Sequence, residues 1–467
     1  MVGLIASPSV GMNGVLQIHP TNPRYFTDDS GQAIYLAGHQ SFVDLQDNSF
    51  NKEFIRGGHR TLDWDEYLDF LVAHQFNYLR NWVIWSTGSG SMAPLNHAIA
   101  FPMPYKRVEG HGKARDGGDK FDLYRFDERF FDRMRKRCEE LQEHGVYVSI
   151  MLFEVYGFLG GEANGDPPQT LWDGNVFNGA NNINGIDTDE NKDGKGIEFF
   201  YTHDAQVRGL QRAYVKKVIE TVNHLDNVFY EVANELYAPE WQKEMIKFIR
   251  AYEKAKPKQH LVLMSAGGRT HTGGWQQMPQ EVLLKSGGDC FAVAGSWNSQ
   301  AYRRKNPPPN ETGQPGFVDM DHVAPGSNDV GYVWTAFTRG YHFNLYDKPF
   351  EDPDAENADW QRVRRNVGQT VAYARRMSLA EAAPHGELAS TGFCLALPGE
   401  QYIVYQPAEG AFEVRGLKKG KRYLVEWYDT EKARVVGEGE WVSTEPAHSF
   451  GPEKGARVLF LDRHSTE

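Results

Sequence analysis

The sequence contains little cysteine, no long apolar run and fewer basic than acidic side chains. Its three cysteines, Cys138, Cys290 and Cys394, are odd in number and widely spaced, which fits neither a disulfide framework nor a zinc ribbon. No run approaches the roughly 20 apolar residues of a membrane-spanning helix. The formal net charge of −12 argues against binding by phosphate neutralisation. We therefore expect neither a membrane nor a nucleic acid as partner.

Several catalytic signatures are also absent. The sequence has no HExxH, no P-loop, no GxSxG and no HxH pair at a predicted strand end, so it lacks the commonest signatures of metalloproteases, NTPases, serine hydrolases and barrel amidohydrolases. No obligatory cofactor is expected. Its first residues lack the basic and apolar segments of an export signal. The chain as written is therefore expected in the cytoplasm, or secreted or periplasmic if a leader has been removed, and nothing in it indicates an oligomeric state.

Aromatic residues are abundant, at 13% of the chain with 11 Trp and 22 Tyr. They have two interpretations, the core of a large barrel or a cleft in which sugar rings stack on aromatic faces. The length of 467 residues, with 24% charged and 40% hydrophobic side chains, suits a globular protein of two domains. Together with the negative charge, these features favour an uncharged partner such as a carbohydrate.

Apolar strand segments alternate with helical segments from about residue 33 onward. The clearest helices follow Asp127 and Asp204, which are N-cap residues by type, and Gly145 is expected to end the first. About eight such units fit before a helix at Gln361–Met377. We therefore predict a (β/α)₈ TIM barrel with an N-terminal β-hairpin over residues 1–383. An open doubly wound sheet is the second interpretation, although no glycine-rich phosphate turn follows any strand.

The sequence pattern changes near Pro384. From Gly392 onward, short alternating runs are separated by turns rich in Gly, Pro and Lys, which predicts a small all-β sandwich over residues 384–467. Two long segments within the barrel, Val108–Lys120 and Gly160–His203, are rich in Gly and polar residues. Loops of this length on a barrel usually build the functional site.

The reactive groups of a (β/α)₈ barrel lie at the carboxyl ends of its strands. Asn234 and Glu235 end the run that begins at Asn227 and are the most informative pair. A carboxylic acid with a neighbouring amide suits glycosidic cleavage, which needs an acid for the leaving oxygen and hydrogen bonds to the sugar ring. The alternative is a structural pair that caps a helix.

A second carboxylate must come from another strand end. Asp319 and Asp321 both follow the strand Gly316–Met320, and alternation cannot choose between them because both fall on the same face. Asp321 is the first choice, with Asp319 and Glu154 as alternatives. A carboxyl separation of about 5 to 5.5 Å would indicate retention of the anomeric configuration, and about 6.5 to 9.5 Å would indicate inversion.

Other polar and aromatic residues at predicted strand ends are candidate substrate contacts. Arg80 could orient a carboxylate and keep it ionised, tryptophans offer stacking faces, and each residue also has a purely structural interpretation. His203 is a weaker candidate because it directly precedes the Asp204 cap. The substrate-binding set comprises His39, Arg80, Trp82, Glu154, Asn234, Trp297 and His322.

The segment Asp187–Glu198 is similar to a calcium loop. Asp189, Asn191 and Asp193 occupy positions 1, 3 and 5, with Gly194 at position 6, as an EF-hand loop requires. Position 12 is not the glutamate that would close such a site. A structural calcium ion is therefore a possibility here, and a solvated loop is the alternative.

These segments resemble a known family. Residues 19–38, 77–82, 227–235 and the pair of segments 319–322 and 334–340 resemble a glycoside hydrolase of the large (β/α)₈ clan related to family 5 cellulases. The resemblance implies that Glu235 is the general acid/base, Asn234 its sugar-contacting neighbour and Arg80 the residue beneath the nucleophile. The chain departs from the clan at the nucleophile, which is normally Glu on the seventh strand. The C-terminal segment resembles a small β-domain named as a collagen-binding domain of a collagenase.

The sequence therefore predicts a hydrolase of O-glycosidic bonds that acts on a poly- or oligosaccharide. Glu235 is expected to protonate the leaving oxygen, and Asp321 to attack the anomeric carbon or activate water. One alternative is a non-catalytic carbohydrate- or matrix-binding protein on a barrel scaffold. A peptidase acting on collagen-like chains is a further alternative, although no nucleophile triad or zinc motif supports it. Sugar, linkage and anomer do not follow from the sequence.

Overall fold

The computed structural model of the protein describes residues 12–47, 62–87, 100–159, 170–292, 307–319, 330–346, 358–451 and 456–463. Its α-helices in these ranges are α1 (Trp64–Ala73), α2 (Glu128–Glu143), α3 (Ala205–Val222), α4 (Pro239–Glu253), α5 (Gln280–Leu284), α6 (Val330–Thr338) and α7 (Ala358–Arg376). Its strands are β1 (Gln17–Ile18), β2 (Phe26–Thr27), β3 (Ala37–Ser41), β4 (Tyr78–Asn81), β5 (Tyr105–Lys113), β6 (Asp119–Phe126), β7 (Tyr147–Met151), β8 (Val228–Glu231), β9 (Val262–Ser265), β10 (Gly267–Arg269), β11 (Trp275–Gln277), β12 (Cys290–Ala292), β13 (Gly316–Asp319), β14 (His342–Tyr346), β15 (Ala383–Pro384), β16 (Cys394–Leu397), β17 (Gln401–Tyr405), β18 (Phe412–Arg415), β19 (Arg422–Asp429), β20 (Arg434–Val442), β21 (Ala447–Phe450) and β22 (Ala456–Arg463).

Eight parallel strands close into a barrel in the order β3, β4, β7, β8, β9, β12, β13, β14 and back to β3. All eight ladders between them are parallel. Within the described ranges, six of the connections between consecutive strands contain a helix, α1 to α6 in chain order, as is typical of a parallel sheet covered by crossover helices. The predicted (β/α)₈ barrel is confirmed.

Aromatic rings fill the amino end of the barrel. Tyr78 and His342 lie 5.0 and 4.9 Å from the ring of Phe317, between centroids, and Phe229 stacks on the same ring at 6.0 Å. Phe26, from the hairpin of β1 and β2, closes this layer from below at 5.9 Å from Phe317. Because aromatic rings occupy this end, we expect the polar groups in the barrel to be reached from the carboxyl end of its strands.

The predicted helix ends are present. Asp127 caps α2 by accepting a hydrogen bond from the Arg129 N–H, and Asp204 caps α3 by accepting from Gln206 and Val207. Gly145 follows α2 with a φ of +72°, which glycine adopts at low cost. None of the helices that the structure describes is both long and apolar enough to cross a bilayer.

Antiparallel β-structure follows the barrel. One sheet has the order β15, β16, β17, β22, β19, β20, and a two-stranded sheet pairs β18 with β21. Side chains from both sheets, including Tyr402, Val414 and Leu461, form one hydrophobic cluster, so the sheets pack face to face. The all-β C-terminal domain is confirmed, and the exact boundary at residue 384 stays a prediction.

The segment Val108–Lys120 was expected to be a loop, and this expectation is wrong for most of it. Its residues belong to the long antiparallel hairpin of β5 and β6. The Gly and polar residues that suggested a loop lie at the exposed end of this hairpin, where Gly110 and Gly112 have φ near +83° and +82°. The other long segment expected to be a loop is Gly160–His203. Its residues 170–203 contain short 3₁₀ turns and pack against the carboxyl end of the barrel.

Candidate active site

Asn234 and Glu235 lie just beyond the end of β8, at the carboxyl end of the barrel. The Asn234 N–H donates to the carbonyl of Phe153 at 2.9 Å, which joins this turn to the segment after β7. Asn234 is buried, whereas Glu235 is partly exposed. Helix α4 begins only at Pro239 with Ala238 as its N-cap, so the helix-capping interpretation of the pair is wrong.

Glu235 has a left-handed backbone, with a φ of +52°. Such a conformation is uncommon for a residue with a side chain and persists where the surroundings over-determine it. Here the Arg269 N–H donates to the Glu235 carbonyl at 2.7 Å, and the Tyr237 N–H donates to the Arg269 carbonyl at 3.0 Å. The hairpin of β10 and β11 thus holds the turn that carries Glu235.

Gly268 allows this hairpin to approach so closely. A Cβ atom at Gly268, whose φ is +151°, would lie 1.8 Å from the carbonyl carbon of Glu235. No side chain fits in that space. The backbone of the hairpin therefore lies directly against the backbone of the candidate acid.

Arg80 lies inside the barrel on β4 and is 3% exposed. Its Nε donates to Oε2 of Glu231 at 2.8 Å, and its Nη2 donates to the other carboxylate oxygen of Glu231. Nη2 also donates to Asn234 Oδ1 at 2.7 Å, and Nη1 donates to Gln40 Oε1 at 3.0 Å. Arg80 therefore orients Asn234. Among the described residues, the carboxylate that Arg80 contacts is that of Glu231.

Gln40 and Asn344 complete the polar layer around Arg80. Asn344 Nδ2 donates to Gln40 Oε1 at 2.5 Å. Gln40 Nε2 and Asn344 Oδ1 are buried and have no hydrogen-bond partner within the described part of the chain. Arg80 and Asn344 also border a small cavity of about 10 Å³. A hydroxyl group, which donates and accepts, suits this pair of orphaned atoms.

Glu154 follows β7 and is 1% exposed. Its Oε2 accepts the Gly157 N–H at 2.7 Å and its Oε1 accepts the Trp85 N–H at 3.3 Å. Burial raises the pKa of Glu154 to about 7, the backbone N–H groups oppose this effect, and the charge of Glu235 raises that pKa further. Glu154 and Glu235 thus lie close enough to act on each other electrostatically.

Aromatic side chains surround the carboxyl ends of β3, β4 and β14. Trp82 packs edge-on against Phe42 at 4.4 Å between centroids, and Phe42 contacts Tyr346 at 5.0 Å. The Arg80 guanidinium lies 5.4 Å from the Trp82 ring centroid. Phe42 and Tyr346 are partly exposed, so they offer ring faces next to the polar layer, whereas Trp82 is almost fully buried.

His39 is not brought to this site. Its Nδ1 lies 2.7 Å from the Tyr67 hydroxyl, and its ring packs against Phe70 and Phe76. Strand alternation turns His39 toward α1 and its neighbour Gln40 toward the barrel axis. The expectation of a substrate contact for His39 is therefore corrected, because the side chain is fully buried between strand and helix. His203 is exposed and directly precedes the Asp204 cap.

The second carboxylate was expected on β13. Asp319 is the last residue of that strand and pairs in register with Asn344 of β14, which places its backbone beside the polar layer. Asp321, His322 and Trp297 lie outside the described residues. The choice between Asp319 and Asp321 stays a prediction.

The calcium-loop candidate uses its oxygens for internal hydrogen bonds. Asp189 accepts the N–H groups of Asp193 and Gly194, at 3.0 and 3.1 Å, and Asn191 Oδ1 accepts the Asp193 N–H at 2.8 Å. Lys195 pairs with Asp193 at 3.2 Å. Within the described ranges, no group of three or more His, Cys, Asp or Glu side chains is arranged to hold a metal ion. Calcium binding by this loop stays a prediction.

Sequence reasoning missed Glu231, Gln40 and Asn344. Glu231 could have been found, because a carboxylate within the apolar run before Asn234 must be paired when the strand is buried, and Arg80 was the available cation. Gln40 and Asn344 could not be found, since no sequence signal fixes which residues of a wholly buried strand face the axis.

The family model described as a domain of unknown function, DUF6298, matches residues 96–270. A search of curated proteins finds no match.

Among solved structures, a "putative glycoside hydrolase" from Bacteroides vulgatus ATCC 8482 is 16% identical with a TM-score of 0.60, over 98% of this chain and 84% of that one. A glycoside hydrolase family 5 protein from the same organism is 13% identical with a TM-score of 0.55, over 96% and 94% of the two chains. At these identities the likeness establishes the fold. The expected likeness of the C-terminal domain to a collagen-binding domain is not confirmed.

Proposed function

We propose that the protein is a glycoside hydrolase that cleaves O-glycosidic bonds of a poly- or oligosaccharide. The observation that carries the proposal is the Asn234–Glu235 turn, which presents a partly exposed carboxyl group beside an amide at the carboxyl end of a closed barrel. The fold likeness to solved structures described as glycoside hydrolases supports the same reaction class.

Glu235 is the group proposed to protonate the leaving oxygen. Its left-handed backbone and the hairpin against it restrict the directions in which the side chain can point, as a general acid requires. Asn234 presents a sugar-binding donor, because Arg80 occupies Asn234 Oδ1 and so orients Nδ2. A hydrogen bond from that nitrogen to a ring hydroxyl would strengthen as the sugar becomes oxocarbenium-like.

Asp321 is proposed as the second carboxylate, with Asp319 as the alternative. Asp319 ends β13 in register with Asn344, and Asp321 follows two residues later. Its role is to attack the anomeric carbon or to activate a water molecule, and the carboxyl separation from Glu235 would distinguish the two outcomes. The orphaned atoms of Gln40 and Asn344 would bind a sugar hydroxyl, and the exposed faces of Phe42 and Tyr346 would contact the ring.

The test compares wild-type protein with Glu235→Gln on a panel of plant, algal and bacterial oligosaccharides and polysaccharides. Glu235→Gln removes the proton donor with little change of shape, so turnover should fall by about 10²-fold or more with an unchanged unfolding midpoint. Glu240→Gln is the matched control, because Glu240 lies five residues later, is exposed and pairs with Lys243 at 2.9 Å. That variant should keep full activity.

Two results would contradict the proposal. Equal product release by the wild-type and Glu235→Gln proteins would remove Glu235 from the mechanism. Binding of glycans by the wild-type protein without release of any product, across the whole panel, would favour the non-catalytic carbohydrate-binding alternative.

A further inference from the structure

The hairpin of β10 and β11 and the turn that carries Glu235 form one backbone unit. Leu236 and Arg269 form an isolated parallel bridge, and the Arg269 N–H donates to the Glu235 carbonyl at 2.7 Å. The hairpin follows β9, the strand next to β8 in the barrel. Its side chains therefore lie beside the candidate acid, and the reaction proposed above gives them no role.

The tip of this hairpin is a closed turn. The Thr270 N–H donates to the Gly274 carbonyl and the Gly273 N–H donates to the Thr270 carbonyl, both at 2.8 Å. Nη1 of Arg269 also donates to the Gly273 carbonyl, at 3.1 Å. These bonds restrict the positions of the side chains that the turn carries, and a surface ordered in advance loses little freedom when a ligand binds.

Aromatic side chains gather around the hairpin. The Tyr201 hydroxyl donates to the Tyr237 carbonyl, and the Tyr201 ring lies edge-on to the His271 ring at 5.3 Å between centroids. The Arg269 guanidinium lies 5.4 Å from the centroid of the Trp275 ring. His271 is exposed, and the other four residues are partly exposed. We call these residues the hairpin surface, which comprises Tyr201, Tyr237, Arg269, His271 and Trp275.

The hairpin surface lies across the mouth of the barrel from the polar layer around Arg80. In the closed order of eight strands, β9 is four strands away from β3, so these two strands stand on opposite sides. Gln40 lies on β3 and Phe42 directly follows it, whereas the hairpin follows β9. A ligand that extends from the polar layer to the hairpin therefore passes the end of β8, where Glu235 lies.

The role assigned to Glu235 gives this placement a chemical meaning. A general acid protonates the oxygen between two sugar units. The reacting unit is the one proposed to bind the polar layer, so the leaving unit lies on the hairpin side of Glu235. Aromatic rings can contact the apolar face of a sugar, and the N–H groups of Arg269 and His271 can donate to its hydroxyl groups.

We propose that the hairpin surface is the subsite for the leaving sugar unit. The inference rests on the proposed function and narrows its substrate class to glycan chains that continue beyond the cleaved bond. Contacts with such a unit, remote from the reacting carbon, contribute binding energy to kcat/KM. A glycoside with a small leaving group makes none of these contacts.

The test compares two substrates that share the same reacting part. One is an oligosaccharide of the glycan panel that the wild-type protein cleaves, and the other is the corresponding glycosyl fluoride, whose leaving group does not fill the subsite. His271→Ala and Trp275→Ala should each lower kcat/KM on the oligosaccharide by about 10-fold, because a contact with the leaving unit is lost. On the fluoride, kcat/KM should change by less than about twofold.

Trp441→Ala is the matched control. Trp441 is also partly exposed and also lies beside a histidine, with its ring centroid 4.5 Å from that of His448. It belongs to β20 of the C-terminal sheet, outside the barrel. This variant should keep the wild-type kcat/KM on both substrates.

The proposal is overturned if neither His271→Ala nor Trp275→Ala loses more activity on the oligosaccharide than on the fluoride. The hairpin would then act only through the position of Glu235, and the proposed function would stand. Failure of the wild-type protein to cleave any glycan of the panel would instead contradict the proposed function, and this inference with it.

Discussion

At the scale of single residues, the position of the candidate acid depends on a glycine elsewhere in the chain. Gly268 is 33 positions away from Glu235, yet its missing side chain allows β10 to lie against the Glu235 carbonyl. The strain of a left-handed glutamate costs of the order of 1 to 3 kcal/mol, and the hydrogen bond from the Arg269 N–H at 2.7 Å helps to offset it. Backbone contacts from the hairpin of β10 and β11 thus position the acid.

Gly268→Ala should displace the hairpin and with it Glu235. We expect a loss of kcat of about 10-fold or more, together with a decrease of about 1 to 3 kcal/mol in the free energy of unfolding. Gly273→Ala is the control, because Gly273 has a φ of +78° in the same hairpin and no atom lies within 4 Å of an added Cβ. Hydrolysis rates and urea unfolding measure the two effects. Equal effects of both substitutions would show that the contact between Gly268 and Glu235 does not determine activity.

At the scale of elements, a buried ion pair connects β4 to β8 across the intervening strand β7. Arg80 and Glu231 are 3% and 0% exposed, and the guanidinium contacts both carboxylate oxygens. Such a pair gains little over a well-packed apolar pair, but removing one partner leaves an uncompensated buried charge. Because Arg80 also bonds Asn234, the same pair links the stability of the barrel to the geometry of the site.

Glu231→Leu should lower the free energy of unfolding by about 3 to 5 kcal/mol, because the buried Arg80 guanidinium would lose the carboxylate that its Nε and Nη2 contact. The double variant Arg80→Met with Glu231→Leu should regain much of that stability and still lack activity, since Asn234 has lost its anchor. Urea unfolding and hydrolysis rates check both parts. The single variant Arg80→Met completes the comparison. If the loss of free energy of unfolding in the double variant equals the sum of the losses in the two single variants, the two residues do not interact as a pair.

The helices and strands could be predicted from the sequence more completely than the residues of the site. The capped helices after Asp127 and Asp204 and the order of the strands follow from periodicity and cap residues, which are local signals. The orientation of side chains inside the barrel is not local, since both faces of a parallel strand are apolar. His39 and Gln40 were therefore indistinguishable in sequence, and only closure of the barrel assigns Gln40 to its axis.

At the scale of the whole molecule, the C-terminal sheet packs against the outside of the barrel. Tyr373 of α7 lies 5.3 Å from Phe460 of β22 between ring centroids, and one hydrophobic cluster contains residues of both parts. Glu426 of β19 accepts hydrogen bonds from the Tyr373 hydroxyl at 2.6 Å and from Arg376 at 2.9 Å. A shared core of this kind predicts that the two parts unfold together.

Glu426→Ala should lower the temperature of the unfolding transition, and the transition should remain single. Loss of the carboxylate leaves the buried Tyr373 hydroxyl without its acceptor, which costs about 1 to 3 kcal/mol. Calorimetry should show one peak in both proteins, at a lower temperature in the variant. Two resolved peaks in the wild-type protein would indicate that barrel and sheet are independent.

The central claim is that Glu235 donates a proton to the leaving oxygen, and the dependence of rate on the leaving group tests it most directly. Aryl glycosides of the accepted sugar, with leaving groups of decreasing acidity, are compared in wild-type protein and Glu235→Gln. The account predicts that the variant retains most activity on activated nitrophenyl glycosides and loses progressively more as the leaving group becomes less acidic, because protonation then becomes essential. An equal loss across the whole series would contradict the role assigned to Glu235.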